Sequence, residues 1–434
     1  MLTIDENERM THIGPGTPMG ELMRRYWHPI AASSQLPTFG TKAVKLLGES
    51  LVLYRDRSGT LGLVAERCPH RSAGMVFGVP EETGLRCAYH GWLWDETGRC
   101  MEQPWENTED PTSTFRDRIT IQSYPVQELG GLIFAYMGPG PTPLLPRWDL
   151  LVMEGVTRDV GHTVVPCNWL QIMENSLDPI HLEWLHIHFS DYVLERLGRP
   201  DLKRRTVTDN QGRQLPAYTH TKIGFSTFDH GITKRRTLVG TTEEDDLWAV
   251  GHPVVFPLLL KTGYTFQYRV PVDDEHTMYF YYSCYRPKPG IELEQQDPRE
   301  LPYYEVPIAG VDANGEPQWS LLDNNSGQDI AMWYTQGPIS DRSQEHLGLS
   351  DRGVILYRQL LKDNMAKVLE GEDPMNTFRD PEENVYLELD NEYQRMADKT
   401  DQVNRTGSSS KYSPILKEAV IKTKGEEAAK EPVY

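Results

Sequence analysis

Cysteine is scarce in this sequence, and long apolar runs are missing from it. Five cysteines occur in 434 residues, and the longest apolar run, VVFPLLL at 254–260, is far shorter than the roughly 20 residues of a membrane-spanning helix. The acidic N-terminus also lacks the basic and then apolar pattern of a signal segment. We therefore expect a cytoplasmic protein without a membrane partner, in which Cys100, Cys167 and Cys284 stay free thiols.

Nucleotide-binding signatures are missing as well. The sequence has no G-x-G-x-x-G and no G-x-x-x-x-G-K-[ST] motif, and prolines interrupt the glycines of residues 14–20, where they would obstruct a phosphate loop. The formal net charge of −19 disfavours nucleic acid and anionic membranes as partners. These absences argue against a flavin or nicotinamide domain within this chain.

Two short boxes each combine one cysteine with one histidine. The first is Cys68-Pro-His70, and the second, Cys87-Ala-Tyr-His90, follows after sixteen intervening residues. A Rieske [2Fe–2S] cluster needs two thiolates on one iron and two imidazoles on the other. Because each box supplies one ligand of each kind, the pattern predicts such a cluster.

A structural zinc site is the main alternative for these four residues, because two cysteines and two histidines also form a zinc ligand set. Zinc fingers pair cysteine with cysteine and histidine with histidine, whereas both boxes here are mixed. Pro69 and Gly91 also suit exposed loop tips rather than the helix of a finger. The Rieske interpretation is therefore favoured, and electrons would have to reach the cluster from another protein.

Sequence periodicity divides the chain into four predicted segments. Residues 1–27 form a short polar N-terminal segment, and 28–148 alternate β-like runs with turns, two of them hairpin loops at 56–59 and 95–98. This pattern predicts an all-β domain with both boxes at its loop tips. Residues 149–400 mix helical blocks, among them 326–336 and 350–370, with strand runs, one of them at 247–256, and predict an α+β domain of antiparallel sheet flanked by helices. The polar tail 401–434 is expected to be a wrapping arm or disordered.

A second set of candidate metal ligands lies in the run NSLDPIHLEWLH at 175–186. Pro179 fits the first position of a helix, with Asp178 as its cap. His181 and His186 are five residues apart, so on a regular α-helix they would point about 140° apart. The helix must end, kink or bulge between them if both bind one metal. Taken alone, these residues could equally be polar side chains that form ordinary hydrogen bonds beside a core helix.

Two imidazoles and one carboxylate on one face can hold Fe(II) while leaving positions open for O₂. Asp329 lies near the start of a helical run at 326–336 that is rich in apolar residues, which suits an inward-facing acid. It is our candidate for the missing carboxylate. Asp323 and Asp341 are the alternatives, and the pattern alone leaves the choice open.

The chain resembles the catalytic α-subunit of a Rieske non-haem iron oxygenase over nearly its whole length. The family order is C-x-H…C-x-x-H, then N-x-x-D-x-x-H-x-x-x-x-H, then a late Asp, and all three parts are present. The runs at 16–27, 271–274 and 328–348 are similar to the phthalate 4,5-dioxygenase-like branch. The resemblance implies a Rieske domain with its cluster on Cys68, His70, Cys87 and His90, and a catalytic domain with one mononuclear Fe(II) on His181, His186 and Asp329.

The resemblance further implies a homotrimer with head-to-tail contacts, in which the cluster of one subunit serves the iron of its neighbour. Asp178 matches the acid that bridges a cluster histidine to an iron-bound histidine of the next subunit, and Asn175 matches a residue beside the iron. NAD(P)H electrons would arrive through a separate flavin and iron–sulfur reductase, with or without a ferredoxin. The side chains expected to shield or hydrogen-bond the cluster, with loop packing as the alternative, are Arg71, Tyr89 and Trp92.

The family oxidises its substrates with O₂, and this branch implies an aromatic acid. We expect O-demethylation of a lignin-derived methoxy-aromatic acid, a step of aromatic catabolism that releases formaldehyde. A phthalate-type dioxygenase that cis-dihydroxylates the ring is the alternative. A non-catalytic Rieske electron carrier belongs to another class, and it would leave residues 149–434 without a role.

Basic side chains that could anchor a substrate carboxylate are expected among Arg204, Arg205, His220, Arg235, Arg236 and Lys261. Most arginines and lysines are solvated surface residues, which is the alternative for each of them. Aromatic side chains of the same region could form a slot for a ring or could simply pack the core; they are Tyr218, Phe225, Phe228, Phe256, Tyr264 and Phe266.

Overall fold

The computed structural model describes residues 2–203, 206–208, 212–216, 218–286, 296–395 and 410–418. Two helices, α1 (Ile4–Thr11) and α2 (Pro18–Met23), begin the chain. A threonine caps each of them, because Thr3 and Thr17 accept hydrogen bonds from backbone N–H groups of the first turn. Their buried side chains join the main hydrophobic core, so the N-terminal segment is more than a polar extension.

The all-β domain is built from short strands and one short helix, α3 (Pro104–Glu109). Its strands are β1 (Trp27–Ala32), β2 (Thr41–Leu46), β3 (Glu49–Arg55), β4 (Leu61–Ala65), β5 (Val79–Pro80), β6 (Leu85–Arg86), β7 (Leu93–Trp94), β8 (Cys100–Glu102), β9 (Ser123–Tyr124), β10 (Val126–Leu129) and β11 (Leu132–Tyr136). They form three antiparallel sheets with the orders β1-β11-β10, β2-β3-β4-β9 and β5-β6-β7-β8. The predicted turns at 56–59 and 95–98 connect β3 to β4 and β7 to β8.

The second half of the chain is organised around one eight-stranded sheet. Its strands are β12 (Thr157–Val165), β15 (His220–Phe228), β16 (Gly231–Leu238), β17 (His252–Val255), β18 (Leu259–Thr262), β19 (Thr265–Asp273), β20 (His276–Tyr285) and β21 (Tyr303–Glu305), and a separate hairpin pairs β13 (Thr206–Thr208) with β14 (Gln214–Pro216). The sheet order is β15-β16-β17-β18-β19-β20-β12-β21. It differs from the expected antiparallel sheet because β21 pairs parallel to β12, which makes the sheet mixed.

Helices cover this sheet. They are α4 (Asp149–Val152), α5 (Trp169–Ser176), α6 (Ile180–Glu183), α7 (Ser190–Arg196), α8 (Asp246–Ala249), α9 (Asn325–Tyr334) and α10 (Arg352–Leu369), with a π-helix (Trp184–Phe189) between α6 and α7. Short 3₁₀ turns occupy Ser33–Gln35, Met75–Phe77, Phe115–Arg118, Pro200–Leu202, Pro298–Glu300, Trp319–Leu321, Leu349–Asp351, Pro381–Asn384 and Ser410–Tyr412. None of the helices described combines the length and hydropathy of a bilayer-crossing segment.

The strand expected over 247–256 is wrong in its first half. Residues Asp246–Ala249 form α8, and the strand β17 begins only at His252. Acidic residues at 243–246 favour a helix N-terminus, since negative charge there is stabilised by the helix dipole. The helical runs predicted at 326–336 and 350–370 match α9 and α10.

The two faces of the large sheet have different neighbours. Phe266, Tyr268 and Tyr282 lie on the face that joins the main core, where Tyr268 meets Phe134 of the all-β domain at 6.1 Å between ring centroids. Tyr279 lies on the opposite face and meets Trp333 of α9 at 5.1 Å. Any site between the sheet and the helices therefore lies on the Tyr279 face.

Candidate metal centres

Both cysteine–histidine boxes are tight loops closed by their own backbone. The Cys68 N–H donates to the Ala73 carbonyl at 2.9 Å, and the Ser72 N–H donates back to the Cys68 carbonyl at 2.9 Å. In the second box the Cys87 N–H donates to Trp92 at 2.8 Å. Gly91 has a φ of +74°, a left-handed conformation that suits glycine at a loop tip.

The side chains of these loops converge. The Cys68 and Cys87 thiols are buried, and burial together with the adjacent Cys87 raises the pKa of Cys68 to about 11. The rings of His70 and His90 lie 4.4 Å apart between centroids, and His90 is exposed. The loops thus present two thiols inside and two imidazoles towards the surface. Iron would hold the thiols as thiolates, because metal binding displaces their protons.

The spacing of these four donors argues against a single zinc ion. Tetrahedral zinc holds its ligands at 2.0–2.3 Å, so all four donor atoms would lie within about 4 Å of one another. Among the residues described, the one set of three or more donors within 4.8 Å is elsewhere, at His181, His186 and Asp329. The wider arrangement of the boxes fits a cluster in which thiols and imidazoles bind different irons.

Aromatic side chains surround the imidazoles. The buried Trp92 stacks on His70 with 4.4 Å between centroids and 4° between planes. Tyr89 meets His90 at 3.8 Å, and the Arg71 guanidinium lies over the Tyr89 ring at 5.6 Å. The three residues suggested from the sequence as cluster neighbours therefore do contact the box histidines or one another. Tyr89 is itself 57% exposed, so it shields the cluster loops only in part.

A π-helix resolves the awkward spacing of the second histidine pair. His181 lies in α6, whereas His186 lies within the π-helix Trp184–Phe189. A π-helix has wider turns than an α-helix, because its hydrogen bonds run from residue i to i+5. Two residues five apart can then face the same side, which a regular α-helix would prevent. The irregularity required by the sequence is thus a bulge rather than a helix end.

Three donors meet at this bulge. Asp329 Oδ1 lies 3.1 Å from His186 Nε2 and 3.9 Å from His181 Nε2, and the two imidazole rings are 5.2 Å apart. Asp329 is carried by α9, which Asn324 caps by accepting a hydrogen bond from the Gly327 N–H at 2.9 Å. Two imidazoles and one carboxylate within 4.8 Å can hold one metal ion and leave other coordination positions free.

Gln328 determines which nitrogen of His186 faces this centre. Its side-chain N–H donates to the Leu322 carbonyl at 2.8 Å, which leaves its oxygen to accept from His186 Nδ1 at 2.9 Å. His186 Nδ1 therefore carries the proton, and Nε2 presents its lone pair to the centre. Sequence reasoning missed Gln328. The sequence signal that could have identified Gln328 is its position directly before Asp329, the candidate acid.

The protonation states also suit metal binding. Burial lowers the pKa of His181 to about 4, so this imidazole is neutral at pH 7. Burial would raise the pKa of Asp329, but the adjacent His186 and His181, together with the Arg269 guanidinium, hold it below its usual value. A neutral His181 and an ionised Asp329 are the forms that bind a divalent metal.

Asp178 lies on the far side of His181. Its Oδ2 is 3.7 Å from His181 Nδ1, while its Oδ1 accepts hydrogen bonds from the Ile180 and His181 N–H groups and caps the helix. The His181 Nδ1 atom is buried and has no hydrogen-bond partner among the described residues. Asn175 lies in the last turn of α5, and its carbonyl accepts a hydrogen bond from the Asp178 N–H at 3.1 Å.

The alternative residues are engaged elsewhere. Asp323 binds Lys411 at 2.6 Å, and Asp341 is exposed and bonds to Ser343. His188 stacks on Trp184 at 4.5 Å between centroids and does not join the donor set.

Two family models match the chain: a Rieske [2Fe-2S] domain over residues 26–125 and a LigXa C-terminal domain like model over 318–424. The chain is 44% identical to the 5,5'-dehydrodivanillate O-demethylase oxygenase subunit of Sphingobium sp. over 90% of this chain and 86% of that protein. The chain belongs to the Rieske non-haem iron oxygenases. The match supports a [2Fe–2S] cluster in this chain, and membership of the oxygenases implies a mononuclear iron.

Other relatives agree with this assignment. The chain is 31% identical to the phthalate 4,5-dioxygenase oxygenase subunit of Pseudomonas putida, over 87% of this chain and 89% of that protein. Among solved structures, NdmA of Pseudomonas putida CBB5 aligns with a TM-score of 0.55 and 19% identity over 81% of this chain and 93% of that one. This last likeness shows the fold, which is that of Rieske oxygenase subunits.

Most of the basic residues suggested as substrate anchors in this Rieske oxygenase already have structural partners. Arg236 binds Glu392 at 3.1 Å, His220 meets Glu183 at 3.0 Å, and the buried Lys261 binds Asp149 at 2.6 Å. Arg235 bonds to the hydroxyl of Ser226. Arg204 and Arg205 lie outside the described residues. Of the suggested aromatics, Phe256, Tyr264 and Phe266 are buried core residues, and Tyr218 is exposed.

Proposed function

We propose that this chain is the terminal oxygenase that O-demethylates a methoxylated, lignin-derived aromatic acid. The observation that carries the proposal is the donor set His181, His186 and Asp329, in a chain 44% identical to the oxygenase subunit of an O-demethylase. The reaction inserts one oxygen atom of O₂ into the methyl group. The resulting hemiacetal breaks into a phenol and formaldehyde, while two electrons and two protons reduce the other oxygen atom to water.

The three residues have defined roles in this proposal. Fe(II) bound to two imidazoles and one carboxylate supplies oxygen activation, because coordination positions stay free. His181 and His186 bind through Nε2, and Gln328 keeps the His186 ring oriented. Asp329 neutralises part of the metal charge from within a buried helix. Asn175, at the end of α5, would line the approach to the iron.

The electron path is proposed to cross a subunit boundary. His90 is exposed on the all-β domain and Asp178 is partly exposed beside His181, so each can meet a neighbouring copy. Large exposed aromatics flank both places, namely Tyr89 at 57% and Trp184 at 61% exposure, and a subunit contact would cover them. A head-to-tail homotrimer would bring the cluster of one copy to the Asp178 of the next.

Electrons are proposed to come from NAD(P)H through a separate flavin and iron–sulfur reductase, with or without a ferredoxin. The sequence has no nucleotide-binding motif that would allow the chain to collect them itself. A solved relative, the oxygenase of carbazole 1,9a-dioxygenase, is described in complex with a ferredoxin.

A phthalate-type ring dioxygenase is the second candidate. It is favoured by the 31% identity to the phthalate 4,5-dioxygenase subunit over most of both chains. It would use the same iron ligands and the same electron path. The two reactions differ in their products, because ring dihydroxylation yields a cis-dihydrodiol and no formaldehyde.

The test is substrate-stimulated oxygen uptake by the purified protein with NADH and a surrogate reductase. Formaldehyde equal to the oxygen consumed on one methoxylated acid would support O-demethylation. Oxygen uptake on phthalate with a dihydrodiol and no formaldehyde would favour the dioxygenase. Iron analysis separates both from an electron carrier, since the carrier would hold only the two irons of its cluster and an oxygenase holds one more.

A further inference from the structure

One buried lysine of the large sheet forms no ion pair within the described residues. Lys234 of β16 is 7% exposed, and its ammonium makes no hydrogen bond or ion pair within the described part of the chain. Lys261 of β18 is buried as well, but it binds the Asp149 carboxylate, the Leu389 carbonyl and the Gln394 amide, each at 2.6 Å. Buried charges in proteins are normally paired, as that of Lys261 is. The unpaired Lys234 therefore requires an explanation.

Cross-strand pairing shows which side of the sheet Lys234 faces. In antiparallel pairs, directly opposed residues share a face, as do residues two apart on one strand. Lys234 opposes His252, Val254 opposes Leu260, and Leu260 opposes Gln267. The series continues to Arg269, which opposes Tyr279. Lys234 therefore shares a face with Tyr279, the face that packs on α9, whose Asp329 belongs to the candidate iron centre.

The neighbour of Lys234 on β15 links it to the segment 175–186, which carries His181 and His186. Phe225 of β15 opposes Lys234 across the strands, so the two side chains lie on the same face. A Cβ added to Gly353 of α10 would come within 2.4 Å of the Phe225 ring and 2.7 Å of the Leu177 carbonyl. Leu177 directly precedes Asp178. The ring beside Lys234 thus packs on α10 at the same glycine that approaches the segment positioning His181.

Lys234 and the iron-binding residues also act on one another electrostatically. The Lys234 ammonium contributes to lowering the pKa of His181, and Asp178 contributes to raising the pKa of Lys234. Arg269 contributes to lowering the pKa of Asp329. Lys234 and Arg269 are thus two buried cations within electrostatic range of the iron-binding residues.

The acids nearby are already engaged. Glu392 binds Arg236 at 3.1 Å and His252 at 3.0 Å, and Asp178 caps its own helix. Arg269 donates to the carbonyl and side-chain oxygens of Gln267, which are neutral. The sheet face beside the iron centre therefore has an excess of buried positive charge that an anionic ligand would balance.

We propose that Lys234 binds an anionic oxygen, carboxylate or phenolate, of an aromatic acid substrate, with Arg269 as the second cation of the same site. The inference rests on the proposed oxidation of an aromatic acid. It gives the buried ammonium the partner that the chain does not provide. It also orients the ring, because an anion fixed on the sheet face leaves the rest of the substrate directed to the iron-binding residues.

The ionisation of Lys234 supports this arrangement. Burial lowers its pKa to about 7, and Arg236 and Arg269 add to this, whereas Glu392 and Asp178 oppose it. His252, opposite on β17, is neutral at pH 7 because burial lowers its pKa to about 4. The lysine is thus only partly charged without a ligand, and an anion would draw in its proton. Binding should therefore take up protons near pH 7 and weaken above that pH.

The test is anaerobic titration calorimetry on the metal-loaded protein and its Lys234→Met variant. The probes are 5,5'-dehydrodivanillate, its dimethyl ester, and phthalate. Loss of one charge-assisted hydrogen bond should weaken binding of the acid about 10- to 100-fold. If Lys234→Met loses affinity for the two free acids but not for the ester, the bound group is a carboxylate. If the variant loses as much affinity for the ester, which keeps its phenols, as for the parent acid, the bound group is a phenolate. Unchanged affinity of the variant for every probe that the wild type binds would overturn the inference.

Two variants separate binding from folding. Lys234→Arg should restore part of the affinity for the acid, because it restores the positive charge. Lys222→Met is the matched control on the neighbouring strand, where Lys222 binds Glu243 on the surface, and it should bind like the wild type. Thermal unfolding and iron content of all variants show whether the fold and metal centres are intact.

Failure of this inference is distinguishable from failure of the proposed function. Binding is measured without turnover, whereas formaldehyde release is measured with O₂ and a reductase. If phthalate binds, depends on Lys234 and is oxidised without formaldehyde, the anion site stands and the O-demethylation proposal falls. If 5,5'-dehydrodivanillate is demethylated equally well by wild type and Lys234→Met, with equal KM, the anion site falls and the O-demethylation proposal stands. If the wild type binds none of the probes, the anion site is overturned.

Discussion

Gln328 and His186 are joined by a hydrogen bond of 2.9 Å from the imidazole Nδ1 to the amide oxygen. The residue after Gln328 is Asp329, whose carboxylate lies 3.1 Å from the other nitrogen of the same ring. One turn of α9 therefore contacts both nitrogens of one histidine. This contact links the orientation of the ring to the position of the acid.

The first prediction concerns this hydrogen bond. Gln328→Leu should lower the affinity for the mononuclear iron by about 10- to 100-fold, because a residue that orients a metal-bound histidine has an effect of that size. Iron titration of the apo protein measures the affinity, while the visible spectrum of the Rieske cluster should stay unchanged. Gln336→Ala, just beyond the same helix, is the control, since Gln336 is exposed and bonds only to a backbone carbonyl. Unchanged iron affinity in Gln328→Leu would contradict the assigned role.

The second prediction concerns the proposed bridge at Asp178. Asp178→Asn should retain both metal centres but reduce turnover at least tenfold, because the amide cannot bear the charge that orients and responds to an imidazole. Rapid mixing of the reduced protein with O₂ and substrate follows reoxidation of the cluster, which should slow by the same factor. The control is Asp341→Asn, an exposed acid bonded to Ser343. Normal cluster reoxidation in the Asp178 variant would refute the bridge.

The third prediction concerns the buried acid that holds α5 in place. Glu174 of α5 binds Arg342 at 2.8 Å and Arg358 at 2.7 Å. Glu174→Ala should reduce the free energy of unfolding by about 3–5 kcal/mol, since it leaves the buried Arg342 guanidinium without its carboxylate, although Arg358 keeps Glu345. Denaturant titration measures the loss. Glu372→Ala, an exposed acid beyond α10, should have no measurable effect.

The same acid predicts how stability depends on pH. Burial would raise the pKa of Glu174, but the charges and hydrogen bonds of Arg342 and Arg358 hold it below 4.5. A pKa depressed in the folded state means that the stabilisation is present above pH 4.5 and is lost as the pH falls through the folded pKa. Wild-type stability should therefore decline below pH 4.5 more steeply than that of Glu174→Ala. Parallel declines would contradict this.

The fourth prediction concerns the C-terminal segment 410–418. Ser413 donates a hydrogen bond to the buried Asp159, which also accepts one from Tyr285 at 3.1 Å. Burial raises the pKa of Asp159 to about 7. A raised folded-state pKa for an acid means that the folded structure around Asp159 is favoured at low pH and loses stability as the pH rises from about 4 to about 7. Limited proteolysis near the segment should accelerate over that range.

The control for this prediction is Asp159→Asn, which cannot ionise. The proteolysis rate of the wild type at pH 5.5 and at pH 7.0 is divided by the rate of the variant at the same pH. This ratio removes the pH dependence of the protease itself. The ratio should rise with pH. A constant ratio would show that Asp159 does not control docking of the segment.

Several features could be read from the sequence because they depend on local chemistry. The turns at 56–59 and 95–98, the helices α9 and α10, and the free cysteines follow from neighbouring residues and from composition. The strand predicted at 247–256 failed where acidic residues begin α8, and the parallel strand β21 could not be foreseen. Strand partners are chosen by packing between distant segments, which no local pattern records.

The chemistry of this protein can be read from local features of the chain. Two mixed cysteine–histidine boxes and one spaced histidine pair state which metal centres are possible, because ligand type and loop spacing are local properties. How those residues meet depends on contacts between distant parts of the folded chain. A π-helix turned His181 and His186 to one side, α9 brought Gln328 from 142 residues away together with the adjacent Asp329, and strand register placed Lys234 on the iron side of the sheet. These placements depend on packing and charge burial, which exist only once the chain is folded.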